Sequence, residues 1–369
     1  MKFTELNSTE LNFKELDDMI TPLDTEAIAQ AKAHWENLAI PIGSLGLLEQ
    51  AIIRIAGLTG DSNVRINKRA VLVLCADNGV VSEQVTQSGS DITSLVAGNI
   101  ARGKSSVCLM AAAAHATVVP VDIGMITPVD TPGLLDRRIA HGTGNIAVGP
   151  AMTRQQAISA IQIGIDLVRM QKEQGCTILA TGEMGIGNTT TSSAVASVLL
   201  GRTVPQVTGR GAGLSDAGLQ RKIFVIEQAI SCNVPDPENA LDTLQKVGGF
   251  DIAGMAGIFI GGAIYRVPIL IDGFISAVSA LAASRMCPSC RCAMLASHVS
   301  AEPAAAMVLN ALELKPLITA GLRLGEGTGA VCALPLLDMA LAVYHGMSTF
   351  SDNGMEAYTP QGGHQCVPL

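Results

Sequence analysis

Ala70-Val71-Leu72-Val73-Leu74-Cys75-Ala76-Asp77-Asn78-Gly79 is the stretch that decides the fold. Its first seven residues are all apolar, a pattern typical of a strand buried in a parallel sheet. The run ends in Asp-Asn-Gly, so polar groups follow at the carboxyl end of the strand. Open α/β sheets bind their ligands at that edge. The stretch therefore predicts a buried parallel strand and the edge of the sheet at which a binding site lies.

Similar apolar runs alternate with helical patterns along the rest of the chain. We expect further strands at 117–123, 177–181, 268–272 and 294–298. Helical spacing is found at 25–35, 47–58, 92–114, 154–174, 190–200, 216–231, 250–265, 307–322 and 331–344. The alternation of strands and helices predicts an α/β fold, with a Rossmann-like parallel sheet and helices on both of its faces.

Composition excludes several classes of partner. Among 369 residues, 24 basic and 32 acidic side chains give a net charge of −8, which argues against nucleic acid and anionic membranes as partners. No apolar stretch reaches the roughly 18 residues of a membrane helix without a charge or a cluster of glycines. The nine cysteines are scattered, and the N-terminus lacks the features of a signal peptide. These observations predict a cytoplasmic protein with reduced thiols.

The candidate general base is Glu326, in the stretch Arg323-Leu324-Gly325-Glu326-Gly327-Thr328-Gly329-Ala330. Apolar helical segments precede and follow this stretch, so we expect the carboxylate to lie near packed protein. Desolvation there raises a carboxyl pKa, and the flanking glycines leave space for a ligand. A carboxylate in such a place is suited to accept a proton. The local pattern alone leaves open a polar loop whose glutamate faces water.

Two glycine-rich loops are candidates for binding a phosphate. The first, in Ile178 to Thr190 (ILATGEMGIGNTT), is a strand, a loop and a helix start, where backbone N–H groups favour an anion. The second, Val207 to Leu214 (VTGRGAGL), precedes a helix that contains Lys222, and an ammonium group there supplies a point charge. A tight strand-to-helix turn and a solvated surface lysine are the alternatives.

A P-loop pattern and a cysteine cluster also occur in the sequence, but neither meets the requirements of a nucleotide or metal site. Gly98 to Ser105 (GNIARGKS) matches the phosphate-binding P-loop pattern letter for letter. That pattern needs a strand directly before its first glycine, whereas residues 91–97 have helical character. Cys287, Cys290 and Cys292 lack a second ligand pair at zinc spacing, and the histidines are dispersed. The sequence therefore predicts no metal site, and the role of the three cysteines stays open.

Taken together, the motifs make the chain resemble the nicotinate-nucleotide–dimethylbenzimidazole phosphoribosyltransferases of cobamide lower-ligand synthesis. The resemblance covers about residues 40 to 350. It is carried by Pro41 to Leu48 (PIGSLGLL), Ala76 to Val81 (ADNGVV), Gly144 to Arg154 (GNIAVGPAMTR), Gly182 to Thr190 (GEMGIGNTT), Val247 to Met255 (VGGFDIAGM), Leu270 to Phe274 (LIDGF), Ser297 to Glu302 (SHVSAE) and Leu324 to Ala330 (LGEGTGA).

The resemblance implies an enzyme that needs no cofactor. It moves the 5-phosphoribosyl group of nicotinate mononucleotide to an aromatic acceptor, inverts the anomeric carbon and releases nicotinate. Glu326 matches the general base, and Glu183 matches a second carboxylate near the site. The residues expected to hold the phosphoribosyl group are Gly185, Ile186, Gly187, Asn188, Gly211 and Lys222, and those expected to face the acceptor are Ser82, Ser90 and Leu324.

The resemblance also implies how the chain is divided and assembled. Residues 66–330 would form a large Rossmann-like domain, and residues 1–65 with 331–369 a small helical domain. Two subunits would associate so that each completes the site of the other, as a homodimer or as a heterodimer with a paralogous subunit.

Two departures from the family pattern bear on the acceptor. The chain has Ser90-Asp91-Ile92-Thr93 where the family usually has Gln-Glu-Val-Thr, and Ile40-Pro41-Ile42 where it has Lys-Pro-Pro. Ser90 replaces a long amide by a short hydroxyl, so dimethylbenzimidazole and phenol or p-cresol are all open as acceptors. Two other classes also remain, a P-loop nucleotide-binding protein and a non-catalytic subunit of a paralogous pair.

Overall fold

The protein is described by a computed structural model of residues 11–358. Its six-stranded sheet is parallel throughout, in the order β3-β2-β1-β4-β5-β6. Strands β2 and β3 are added on one side of β1, and β4, β5 and β6 are added on its other side. The direction in which successive strands are added therefore reverses between β1 and β4. The predicted Rossmann-like α/β fold is confirmed. The strands are β1 (Arg69–Ala76), β2 (Thr117–Gly124), β3 (Leu135–Asp136), β4 (Ile178–Met184), β5 (Ile269–Ile271) and β6 (Met294–Ala296).

Helices cover both faces of this sheet. Alternate residues of β1 point to opposite cores: Leu72 and Leu74 pack with α6, α7 and α9 to α13, whereas Val71 and Val73 pack with α2 to α5 and α14. The α-helices are α1 (Phe13–Asp18), α2 (Thr25–Asn37), α3 (Leu47–Thr59), α4 (Asp91–Ala101), α5 (Ser106–Ala113), α6 (Arg154–Glu173), α7 (Asn188–Leu200), α8 (Val204–Val207), α9 (Asp216–Asn233), α10 (Ala240–Val247), α11 (Phe250–Ile264), α12 (Phe274–Met286), α13 (Ala305–Ala311) and α14 (Thr328–Gly346).

Several expected elements are corrected by the structure. The predicted helix 92–114 is two helices, because the chain turns through Gly103 at a φ of +71° and Ser105 caps α5. The predicted helix 307–322 ends at Ala311, where Glu313 has a φ of +59° and Pro316 disfavours further helix. The sequence interpretation missed α8, α10, α12 and the short strand β3.

Helix α14 is apolar and long enough to cross a membrane by length and composition, and half of its apolar window is buried within the fold. Its Asp338 forms an ion pair with Arg69, which is only 8% exposed. Leu334 and Leu337 belong to the same core as Val71 and Val73 of β1. These contacts identify α14 as a core helix that covers one face of the sheet.

The small helical domain stays a prediction. Helices α2, α3 and α14 share a core with the sheet, and a shared core does not by itself fix a domain boundary. Residues 1–10 and 359–369, which belong to the predicted small domain, lie outside the described residues.

Helices α6 and α11 approach each other through glycine. A Cβ added at Gly164 in α6 would lie 2.0 Å from the carbonyl oxygen of Gly254, and one added at Gly257 in α11 would lie 1.9 Å from that of Ile161. Backbone atoms of a packed helix cannot give way as a flexible side chain can. The two helices can therefore approach this closely only because glycine, which has no Cβ, occupies both positions.

We expect Gly164→Ala to destabilise the fold by about 1–3 kcal/mol or more, because overpacking a core forces the backbone to shift. Thermal and chemical denaturation measure the change. The matched control is Gly346→Ala, at the exposed end of α14, where an added Cβ meets nothing within 4 Å. An unchanged midpoint in Gly164→Ala would contradict the packing argument.

Candidate active site

A cleft of about 200 Å³ opens at the carboxyl ends of β4 and β5. Its walls come from the loop after β4, the loop after β5, the glycine-rich segment before α9 and the loop that precedes α14. Segments distant in the sequence thus meet at the edge of the sheet that the sequence predicted. Of the predicted site residues, the cleft is lined by Glu183, Gly185, Ile186, Asn188, Gly211, Leu324 and Glu326.

The loop that carries Glu326 is held in an unusual backbone conformation. Gly325, Glu326 and Gly327 all have positive φ, of +89°, +59° and +92°. A residue other than glycine in this left-handed region costs of order 1–3 kcal/mol and persists only where the surroundings fix it. A Cβ added at Gly182 in β4 would lie 2.5 Å from the carbonyl oxygen of Glu326. The loop therefore lies directly on the end of the strand.

The carboxylate of Glu326 is half-buried and faces the start of α5. Its Oε2 accepts a hydrogen bond of 3.4 Å from the backbone N–H of Val107. Burial raises the pKa of Glu326, and the charge of Asp272 raises it further, whereas Val107 and the Ser105 hydroxyl lower it. The direction agrees with the expectation from sequence. Glu326 is thus a stronger base than an ordinary glutamate and is open to the cleft.

The loop from β4 to α7 forms the opposite wall. Gly187 caps α7 with a φ of +94°, and the helix begins at Asn188 rather than at Thr190 as predicted. The backbone N–H of Ile186 donates to the hydroxyl of Thr93 in α4, at 3.1 Å. Asn188 and Thr189, in the first turn of a helix of 13 residues, line the cleft, where the helix dipole favours an anion.

Lys222 lies behind this wall and is only 1% exposed, so the alternative of a solvated surface lysine is wrong. Its ammonium group donates to the hydroxyl of Thr189 at 2.8 Å and to the carbonyl of Gly209 at 3.2 Å. Burial lowers the pKa of Lys222 to about 8, and the negative charge of Glu302 opposes this shift. The lysine therefore places a buried cation next to Thr189, which lines the cleft beside Gly211.

Glu183 joins the two sides of the cleft. It is buried at the end of β4, and its Oε2 accepts a hydrogen bond from the side-chain amide of Asn188. A Cβ added at Gly325 would lie 2.8 Å from its Oε1. Burial raises the pKa of Glu183 to about 8, with contributions from Asp251 and Asp272. In the free protein at neutral pH, Glu183 therefore holds a proton most of the time.

Asp272 and His298 line the cleft as well, although the sequence interpretation did not select them. Asp272 follows β5 and accepts hydrogen bonds from the backbone N–H groups of Gly327 and Ala330. Burial lowers the pKa of His298, against the attraction of Asp272. The available signal was the Ile-Asp-Gly sequence at a strand end, the same signal that Asp77 gives after β1.

The residues predicted to face the acceptor are only partly brought together. Leu324 is 57% exposed at the mouth of the cleft. Ser82 is exposed in the 3₁₀ helix Gly79–Glu83, where its hydroxyl accepts a hydrogen bond of 3.0 Å from Asn145. Ser90 is the N-cap residue of α4. Neither serine lines the cleft that contains Glu326.

The P-loop pattern at residues 98–105 does not form a P-loop. Gly98 lies within α4, which begins at Asp91, so no strand precedes it, and Lys104 is exposed. This excludes the nucleotide-binding alternative built on that motif. Ser105, the last residue of the pattern, nevertheless lies near the site, because its hydroxyl lowers the pKa of Glu326. The sequence interpretation missed that contact because it depends on tertiary structure.

The cysteine cluster lies away from the cleft. Cys287 and Cys290 are buried around the 3₁₀ helix Pro288–Ala293. The Sγ of Cys287 donates to the backbone carbonyl of Phe13 at 3.4 Å, which attaches α1 to this segment. Burial raises the pKa of the Cys287 thiol to about 12. The cluster therefore has a packing role.

Comparisons with known proteins assign a class and then a family. The family model described as "Phosphoribosyltransferase" matches residues 20–355, so the fold and cleft are those of a phosphoribosyltransferase. A nicotinate-nucleotide–dimethylbenzimidazole phosphoribosyltransferase of Ruminiclostridium cellulolyticum is 45% identical over 95% of this chain and 99% of its own. One of Acetivibrio thermocellus is 46% identical over 98% of this chain and all of its own length.

A solved structure agrees. The crystal structure of CobT from Thermus thermophilus matches with a TM-score of 0.85 and 38% identity, over 90% of this chain and 99% of that one. The chain belongs to the nicotinate-nucleotide–dimethylbenzimidazole phosphoribosyltransferase family, and it is an enzyme of that class.

Stability should depend on pH through Glu183. Its pKa is raised from 4.5 to about 8 by folding, so the folded protein keeps a proton that the unfolded chain releases between these values. Stability is therefore lost as the pH rises through this window. We expect Glu183→Gln, which keeps the shape and removes the titration, to gain thermal stability over the unmodified protein as the pH is raised from about 5 to about 9.

Thermal denaturation at several pH values measures this difference in Tm. The control is Glu238→Gln, on an exposed turn before α10, for which the difference should stay constant. A difference for Glu183→Gln that is the same at every pH would contradict the assignment of a protonated, buried Glu183.

Proposed function

We propose that this enzyme transfers the 5-phosphoribosyl group of nicotinate mononucleotide to an aromatic acceptor, with dimethylbenzimidazole as the first candidate, and that Glu326 is the general base. Curated relatives more than 40% identical carry the name of this reaction. The observation that carries the proposal is that Glu326 is half-buried in the cleft, whereas Glu183 and Asp272 are buried. Glu302 also lines the cleft and is half-buried, but its charge acts on the ammonium group of Lys222. Glu326 is thus the carboxylate best placed to reach an incoming acceptor.

The chemistry suits a single base. The bond between the anomeric carbon and the pyridinium nitrogen breaks, and nicotinate leaves with the electron pair, so its departure needs no proton donor. A ring nitrogen of the acceptor forms the new bond to the anomeric carbon through its lone pair, and the acceptor ring gives up its N–H proton to Glu326. We propose attack from the face opposite the leaving group, which inverts the anomeric carbon and gives an α-riboside phosphate.

The phosphate of the substrate would lie against the loop from β4 to α7. The residues proposed to hold it are Gly185, Ile186, Gly187, Asn188, Gly211 and Lys222. The start of α7 offers N–H groups and the favourable end of the helix dipole. Lys222 supports this wall from behind, through its hydrogen bond to Thr189. The role of Lys222 is therefore to hold positive charge under the phosphate rather than to reach into the open cleft.

Glu183 would respond to the substrate. An opposite charge within a few ångströms lowers a carboxyl pKa, so the cationic pyridinium and the developing oxocarbenium-like charge on the ribose both favour its ionised form. The ionised carboxylate then stabilises that charge where it develops. This gives the second carboxylate an electrostatic role distinct from the proton transfer at Glu326.

The acceptor, the assembly and the location complete the proposal. Ser82, Ser90 and Leu324 are proposed to face the acceptor, and the short hydroxyl of Ser90 favours a range that extends from dimethylbenzimidazole to phenol and p-cresol. Ser82 and Ser90 lie outside the cleft of the single subunit, which suits a site completed by a second subunit. We propose a homodimer or a heterodimer with a paralogous subunit, acting in the cytoplasm in cobamide lower-ligand synthesis.

Incubation of the purified protein with nicotinate mononucleotide and each of dimethylbenzimidazole, adenine, phenol and p-cresol tests the function. Chromatography and mass spectrometry detect the riboside phosphate and the released nicotinate. We expect product with dimethylbenzimidazole. Absence of product with every acceptor, for the protein alone and with a co-purifying paralogue, would overturn the proposed function.

Glu326→Gln tests the base. The variant should fold normally and lose about a hundred- to ten-thousandfold in transfer rate, because its amide cannot accept the proton of the acceptor. Rates at saturating substrates and the far-ultraviolet circular dichroism spectrum are the measurements. Transfer at the unmodified rate would refute the assignment of Glu326.

Substitutions of Lys222 and Lys104 distinguish the proposed phosphate site from the P-loop pattern at residues 98–105. Lys222→Ala should raise the KM for nicotinate mononucleotide about tenfold or more, since it removes the buried positive charge behind the cleft wall and the charged hydrogen bond that holds Thr189, and such a bond contributes about 1.5–3 kcal/mol. Lys104→Ala is the matched control, and its kinetics should stay near those of the unmodified enzyme because this side chain is exposed outside the cleft. A raised KM in Lys104→Ala together with an unchanged KM in Lys222→Ala would instead place the phosphate-binding site at residues 98–105.

A further inference from the structure

The start of α14 has no capping side chain of its own. Its N-cap residue is Gly327, so the N–H groups of its first turn need partners from elsewhere. Asp272, at the end of β5, supplies partners for two of them, whereas the N–H of Thr328 donates to the carbonyl of Gly325 at 3.0 Å. The Oδ2 of Asp272 accepts from the N–H of Gly327 at 3.3 Å, and its Oδ1 accepts from the N–H of Ala330 at 3.0 Å.

These two donors occupy the N-cap and N3 positions of the helix. In a capping box the same two positions are satisfied by two side chains of the helix itself. Here a single carboxylate from a neighbouring strand satisfies both. The start of α14 is therefore attached to the end of β5, inside the rigid part of the fold.

Asp272 has little capacity left for chemistry. It is 4% exposed, both oxygens are engaged, and the backbone N–H of Gly273 also stabilises its charged form. Its anion is therefore committed to holding the backbone. Glu326 directly precedes the N-cap residue, so an anchor at Gly327 and Ala330 also restrains Glu326.

The Glu326 loop needs such an anchor. Glycine can by itself adopt many backbone conformations, so Gly325 and Gly327 do not fix the position of Glu326 between them. The far side of the anchored turn is fixed by packing, since a Cβ added at Gly329 would lie 2.0 Å from Cε1 of His298. No other described carboxylate accepts hydrogen bonds from the first turn of α14.

We propose that Asp272 is a positioning residue for Glu326, which holds the general base in the cleft through its two hydrogen bonds to the first turn of α14. The inference rests on the proposed function, because it needs Glu326 to act as the base. The placement of the Asp272 carboxylate and its negative charge can each act on Glu326. Two substitutions separate the two effects.

Asp272→Asn keeps the size of the side chain and removes the charge. One of the two backbone N–H groups then faces an NH₂ group and loses its acceptor, so Glu326 is held less firmly. Since misplacement of about 1 Å can cost a hundredfold, we expect kcat to fall about ten- to hundredfold. The negative charge of Asp272 raises the pKa of Glu326. Its removal should shift the rise of kcat/KM with pH to lower pH.

Asp272→Glu keeps the charge and moves the carboxylate by one methylene. We expect kcat to fall by about tenfold or more, with the midpoint of the pH profile close to that of the unmodified enzyme. If Asp272→Asn does not fold, Asp272→Glu alone tests the proposal. A kcat equal to that of the unmodified enzyme would then show that the placement of the carboxylate does not matter.

Other titrating groups face Glu326 and Asp272, namely Glu183, His298 and Cys332. The shift caused by Asp272→Asn must therefore persist in a Glu183→Gln background. The matched control is Asp122→Asn. Asp122 is also a buried carboxylate near the end of a strand, and it accepts from the N–H groups of Gly124 and Met125, but it lies outside the cleft. This control should lose thermal stability and keep the pH profile.

Initial rates with nicotinate mononucleotide and dimethylbenzimidazole, measured across the pH range, give kcat and kcat/KM for each variant. An unmodified enzyme that forms no product would overturn the proposed function, and the inference with it. An active unmodified enzyme, together with unchanged kcat and pH midpoint in the Asp272 variants, would overturn the inference alone. Loss of thermal stability without either kinetic change would reduce Asp272 to a structural residue.

Discussion

The contact between the Glu326 loop and the end of β4 is the constraint on which the site depends. At Gly182 a Cβ would lie 2.5 Å from the carbonyl oxygen of Glu326, and at Gly327 it would lie 2.7 Å from a methyl group of Val71. Two missing side chains thus let the backbone of the loop rest on the sheet. This close approach brings Glu326 next to Glu183 and within reach of the start of α5. Without it the carboxylate of Glu326 would not lie in the cleft.

The same approach concentrates negative charge. Glu183, Asp251, Asp272 and Glu326 lie in one region, and burial raises the pKa of each, to about 8 for Glu183 and about 6 for Asp251. Lys222 is the buried cation nearby, and its pKa is lowered to about 8. Unpaired buried charge costs stability. A site of this kind favours binding of a substrate that carries both a cationic ring and an anionic phosphate.

Much of this site could be predicted from local sequence, and the remainder could not, for a definite reason. Glu326 and the loop after β4 were recognisable because glycine, a carboxylate and a strand end are local signals. Lys222 was placed on the correct helix, but its burial depends on packing against the loop that contains Gly209. Asp272 and Ser105 act through contacts with residues distant in the chain. The helix predicted at 92–114 failed at Gly103, where one left-handed residue outweighs an apolar helical pattern.

The P-loop pattern at residues 98–105 and the glycine-rich segment 182–190 also show that a matching sequence pattern and a suitable structural position are different things. Residues 98–105 match a known motif in every letter, yet Gly98 lies in the third turn of α4 and its backbone N–H is used by the helix. Residues 182–190 match no such motif, yet they contain the end of β4, where the strand order reverses, and the start of α7. An anion needs free N–H groups at a helix start. The proposed phosphate site therefore rests on the position of the loop in the sheet topology more than on its glycine spacing.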